Sequence, residues 1–146
     1  MISSNYGAYA RSASQVTHSQ EKMLIMLYDG VLKFIKLAQR GIEEKKPALK
    51  GEYISRVIAI ITELDSALDM DRGGEISENL SGIYGFMVIR LSEANLKNDP
   101  AALEEVAGLI RDIKEGFEVA AKSMVRSAPR PQAAEPQQAR SICFAV

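Results

Sequence analysis

The sequence predicts an all-α fold: an antiparallel up-and-down four-helix bundle with an N-terminal arm or short extra helix. Three observations lead there. Apolar residues recur at steps of three and four in four separate blocks, the period of an amphipathic helix. Short breaks rich in Gly, Pro, Asn and Asp divide the blocks, and short connections favour antiparallel neighbours. No strict alternation or hairpin turn competes with this pattern. At 146 residues, 47% hydrophobic and 25% charged, the chain has the size and composition of one ordinary globular domain.

Residues 1–18 are small and polar apart from Tyr6 and Tyr9, and read as a loosely held arm. Ser19 is a candidate N-cap for the first long helix, with Thr17 and Gln20 as a rival capping box. That helix should run to about Glu44, where Lys45, Lys46 and Pro47 end it with cations at the negative end of its dipole. The second helix is expected from about Ala48 to Leu68, with Ile54, Val57, Ile58, Ile61, Leu64 and Leu68 on one face. Asp69 to Gly74 reads as a loop, because paired glycines are poor in helix interiors. The third helix should start near Glu75 and end near Leu96. Asp99 then caps the fourth, with Pro100 at its first position, where a missing N–H costs nothing. This last helix carries Leu103, Val106, Ile110, Ile113, Phe117, Ala121 and Met124 at helical spacing. Beyond Arg126, prolines 129, 131 and 136 alternate with Ala, Gln and Arg, and the apolar area is too small to offset ordering entropy. The expected organisation is therefore an arm over 1–18, a helical bundle over 19–126, and a disordered Pro/Gln/Ala-rich tail over 127–146.

The first and third helices are apolar over more than the roughly 100° arc that a core-facing surface helix needs. Leu24, Leu27, Tyr28, Val31, Ile35 and Ala38 form one face of the first helix, and Met23, Met26, Phe34 and Leu37 extend round its side. On the third, Ile76, Leu80, Ile83, Met87 and Leu91 make a stripe that Tyr84, Phe86, Val88 and Ile89 widen. Such arcs suit either well-buried helices or helices partly covered by a partner. Six methionines, with flexible and polarizable side chains, suit a surface that adapts to a partner's apolar groups.

Catalysis and metal binding find little support. His18 is the lone histidine and Cys143 the lone cysteine, so neither a zinc ligand set nor a Cys–His nucleophile can be assembled. Gly73-Gly74 lacks the Lys-Ser/Thr that completes a phosphate loop. The net charge of −1 offers no basic excess for a phosphate backbone, so no nucleic acid is expected as a partner. A single thiol suits a reducing compartment. The first residues lack the pattern of a signal peptide and no apolar run approaches the ~20 residues of a membrane span, so a cytoplasmic protein without stable membrane insertion is expected. Residues 143–146 fit the C-a-a-X prenylation pattern only formally, with an atypical final residue and no polybasic stretch before them. No cofactor is expected.

Several separated blocks resemble one family. Met23-Leu24-Ile25-Met26-Leu27-Tyr28-Asp29-Gly30, Gly73-Gly74-Glu75-Ile76, Asn79-Leu80, Tyr84, Met87, Arg90-Leu91 and Glu93 to Asp99, with the Ala8-Tyr9 arm ahead of them, closely resemble the flagellar secretion chaperone family FliS over about residues 6–121. The chain departs from that pattern at Gln20, where a proline is usual, at Gly85-Phe86, which replaces Asp-Tyr, and at Phe117, in place of tryptophan. The resemblance implies a non-enzymatic helical bundle that binds the C-terminal amphipathic segment of flagellin in the cytosol. It further implies that the chaperone prevents premature polymerisation and delivers its client to the flagellar type III export gate. The candidate groove residues are Leu24, Met26, Leu27 and Tyr28, Ile58 and Leu64, and Met87 and Leu91. Tyr6 and Tyr9, three apart on the arm, are expected to cap that groove in the free protein. The competing expectation is a client-free homodimer that buries the same surplus apolar face.

Overall fold

The computed structural model of the chain describes the backbone of residues 2–127 and the side chains of residues 19–123. Four helices follow one another: α1 (Ile2–Glu43), α2 (Pro47–Ser66), α3 (Met70–Lys97) and α4 (Pro100–Ser127). Each packs on its sequence neighbours, and α1 closes the ring against α4. The antiparallel sense of that closure is set by two contacts. Asp29 pairs with Lys114, and Gln39 further along α1 reaches back to Glu104 on α4. The all-α, up-and-down expectation holds.

The core is one continuous cluster. Tyr28, Val31, Ile35 and Ala38 of α1 meet Ile54, Val57, Ile61 and Leu64 of α2, Tyr84, Met87, Leu91 and Ala94 of α3, and Leu103, Val106 and Ile110 of α4. These are the three-and-four steps of the sequence, and burying such apolar stripes is what drives four amphipathic helices together.

The helix ends differ from expectation in three places. α1 starts at Ile2 rather than at Ser19, so Ser19 caps nothing and the expected arm and first helix form one backbone element. The side chains of 1–18, Tyr6 and Tyr9 included, and the expected tail from Ala128 onward lie outside the described residues. Pro47 does not close α1 but opens α2 at its first turn, where its fixed φ is already helical. The expected loop before Glu75 narrows to a kink. Asp69 caps α3 by accepting from the N–H groups of Asp71 and Arg72, and only Gly74 leaves helical geometry, at φ 50° and ψ −124°. Glycine tolerates that positive φ without a Cβ clash. As predicted, Asp99 caps α4, accepting from the N–H groups of Ala101 and Ala102.

The end of the bundle that holds the α1–α2 and α3–α4 turns is tightly closed. Lys45 and Asn98 both adopt left-handed backbone conformations just past α1 and α3. The N–H of Lys46 then returns to the Gly41 carbonyl, and that of Asp99 to the Ala94 carbonyl, satisfying carbonyls that a helix end otherwise orphans. The two turns are tied by Lys50, whose Nζ donates to the Asn95 carbonyl at 2.9 Å and to Asn98 Oδ1. A buried cation there is compensated by hydrogen bonds and by the negative end of α3. Gly41 admits the close approach of α1 to α2, since a Cβ at that position would lie 2.7 Å from the Lys50 backbone nitrogen.

Candidate functional site

The eight residues expected to line a groove separate into two groups. Tyr28, Leu64, Met87 and Leu91 are core residues, essentially inaccessible to solvent, and are corrected here from groove to core. Leu24, Leu27 and Ile58 are half-buried against that core, and Met26 is 66% exposed. The reason is geometric. In a four-membered ring each helix touches two neighbours and the central core, so its buried arc is wider than the stripe of a helix on a single face. The broad arcs of α1 and α3 are thus used largely inside the bundle.

Tyr28 and Tyr84 have a role that periodicity does not reveal. Their hydroxyls meet across the bundle at 2.7 Å, joining α1 to α3 by a buried hydrogen bond, and the Tyr28 ring stacks on Phe117 at 6.1 Å between centroids. Burial raises the pKa of both phenols, because the ionised form loses its hydration. At Tyr28 the neighbouring Tyr84 adds to the rise. At Tyr84 the hydrogen bond with Tyr28 opposes it, while the charge of Asp65 adds to it. Asp65 Oδ1 is itself buried without a hydrogen-bond partner among the described residues.

What remains on the surface is apolar in discrete places. On α1, Met23 is 60% exposed and lies one turn before half-buried Leu27, with Met26 beside it. Farther along the same side, Phe34 packs on Tyr53 of α2 at 5.5 Å between centroids. The Arg56 guanidinium lies over both rings, 5.7 Å and 5.4 Å from their centres, a cation–π lid on that seam. The outer face of α3 exposes Phe86, Ile89 and Leu96. Ile76 and Val119 are exposed on α3 and α4, and Met70 at the start of α3.

Exposed methionines on a tightly packed bundle suit partner binding better than chemistry. Among the described residues no group of His, Cys, Asp and Glu side chains could hold a metal ion, and no helix is long and apolar enough to cross a membrane.

These features define a class: a closed antiparallel four-helix bundle with apolar side chains left on its surface. The comparison with known proteins narrows it. The family model for "Flagellar protein FliS" matches residues 2–124, and the chain belongs to the FliS family of flagellar secretion chaperones. It is 38% identical over 113 residues to the flagellar secretion chaperone FliS of Salmonella typhimurium, covering 77% of this chain and 84% of that one. It is 35% identical over 122 residues to the FliS chaperone of Bacillus subtilis, covering 84% and 90%, and 32% identical over 112 residues to that of Campylobacter jejuni, covering 77% and 87%. The family is one of chaperones rather than enzymes.

Proposed function

We propose that this chain binds the C-terminal segment of flagellin in the cytoplasm, keeps it from polymerising prematurely and delivers it to the flagellar export gate. The observation that carries the reading is the exposed Met23–Met26 edge of α1, continuous with half-buried Leu24 and Leu27. An amphipathic client helix needs such a surface: apolar, adaptable and already held by a rigid core. Ile58 and the α3 residues Phe86 and Ile89 extend the surface available to a client that wraps round the bundle. Tyr28, Leu64, Met87 and Leu91 support this surface from beneath. Tyr6 and Tyr9 are proposed to cover it until the client arrives, which lowers apparent client affinity by the fraction of time the surface is covered.

The test is a substitution pair read by titration calorimetry with flagellin. Met26→Asp puts a charge into the proposed contact and should weaken binding by roughly tenfold, about 1.4 kcal/mol. Lys33→Asp, exposed two turns farther along the same helix and beyond the proposed contact, should leave affinity within about twofold, a few tenths of a kcal/mol. Binding should carry a negative heat-capacity change, as apolar burial requires. Equal affinity for the two variants would remove α1 from the interface.

A further inference from the structure

Ile76 of α3 and Val119 of α4 lie at the same level of the bundle. The Arg90–Glu105 ion pair, at 2.7 Å, fixes the register of these antiparallel helices, and Ile76 lies as many residues from Arg90 as Val119 lies from Glu105. Both are at least half exposed, at 50% and 61%. One turn before Val119, Gly116 adds no side chain, and a Cβ there would meet only open space. Exposed Glu75, Asp112 and Glu115 rim the patch, and none of them forms an ion pair among the described residues. The result is an open apolar patch, bordered by these three carboxylates and by exposed Lys122, at the end of the bundle where α4 terminates.

The chain itself carries a complementary segment. Residues 140–146 read Arg-Ser-Ile-Cys-Phe-Ala-Val: one cation followed by a short apolar run. Between α4 and this run lie Ala128 to Ala139, rich in Pro, Ala and Gln. Twelve such residues reach about 37 Å if extended. The return from Ser127 to Val119 along α4 is only about 12 Å. A tether of this length holds its end at roughly millimolar effective concentration near the patch, so a weak docking sequence suffices. The family match ends at residue 124, so tether and run lie outside the part of the chain that the family model covers.

We propose that residues 140–146 dock intramolecularly on the Ile76–Val119 patch, with Ile142 and Phe144 beside Ile76, Val119 and the open surface at Gly116, and Arg140 against the Glu75, Asp112 and Glu115 carboxylates. The intervening prolines serve only as tether. The docked run shields an apolar patch that would otherwise favour association between copies. This assignment is independent of the client reading, because it concerns the α3–α4 face and not the Met23–Met26 edge.

The lone cysteine makes the test direct. A nitroxide on Cys143 of the full chain should broaden the amide resonances of Glu75–Glu78 and Gly116–Lys122, and spare those of Lys50 and Asn98 at the opposite end. In the unlabelled chain, Phe144→Asp should shift the Ile76 and Val119 amides, which controls for disturbance by the label. Phe144→Asp in the labelled chain should restore the lost signals. Broadening confined to residues next to Ser127, or centred on Met23 and Met26, would overturn the proposal, as would unchanged Ile76 and Val119 amides in the unlabelled variant. Broadening that appears only when labelled protein is mixed with a separately isotope-labelled copy would overturn it too, by assigning the run to a second molecule.

Discussion

The two ends of this bundle are built to opposite purposes. At the end holding the α1–α2 and α3–α4 turns, two left-handed residues, a buried lysine and a glycine contact lock the four helices in register. At the other end Met23, Met26, Met70, Ile76 and Val119 stay exposed, and α3 enters through a kinked first turn at Gly74. The contrast separates two demands on one small domain. Topology is specified where backbone groups are satisfied and contacts are close. Apolar side chains without bundle partners gather mainly at the other end, with Leu96 exposed beside the closed turns as the exception.

Substitutions can break this contrast, and the largest effect should come from the core that both ends share. Leu91→Ala should cost about 2–5 kcal/mol, because the cavity adds to the lost transfer energy. Met26→Ala should cost under about 0.5 kcal/mol, as surface changes usually do. Chemical denaturation of the two variants measures the difference. Similar losses would return Met26 to the core or Leu91 to the surface.

Gly41→Ala strikes the closed end. The new methyl group must displace the Lys50 backbone, so a loss of about 1–3 kcal/mol is expected despite the better helix propensity of alanine. A gain in melting temperature would mean that α1 and α2 separate there at little cost.

Tyr28→Phe should cost about 1–2 kcal/mol, because the Tyr84 hydroxyl is left buried without its partner. The same pair sets an alkaline limit. Both phenols have pKa values raised above the ordinary 10.0, so the folded state holds these protons more tightly than the unfolded chain does. Their contribution is intact below pH 10 and is lost as the pH rises beyond it. Stability of the unmodified protein should therefore fall more steeply above pH 10 than that of Tyr28→Phe, as melting curves at stepped pH would reveal. Parallel curves would show that the pair does not govern the alkaline transition.

The smallest effect is expected from ending the chain at Arg126. The sequence beyond it offers too little apolar area to build core, so the melting temperature should move by no more than about 2 °C. A larger drop would make those residues part of the folded domain.

Much of this arrangement is legible in the sequence, and the exceptions have physical causes. The Asp99-Pro100 cap can be read because its chemistry is local to three residues, and so can the stripes through Val57, Ile61, Val106 and Ile110. The Gly73-Gly74 break is visible but overdrawn: Asp69 caps a helical turn before it, and only one residue needs a positive φ. The groove was the least legible feature. Hydrophobic spacing sets Met26 off the main face of α1, but it does not tell whether main-face residues such as Tyr28 and Leu91 line an open groove or, as in this closed ring, the enclosed core. The Lys50 bridge to Asn95 and Asn98 joins residues far apart in sequence, and no local signal announces it.

The central proposal is that the Met23–Met26 edge of α1, and not a reactive centre, does the work of this chain by holding a flagellin C-terminus. Calorimetric titration of the full chain with intact flagellin and with flagellin lacking its last ~40 residues tests it most directly. The account predicts binding with a negative heat-capacity change for the intact client and at least about a hundredfold weaker binding, some 2.7 kcal/mol, for the shortened one. Equal affinity for the two would contradict it.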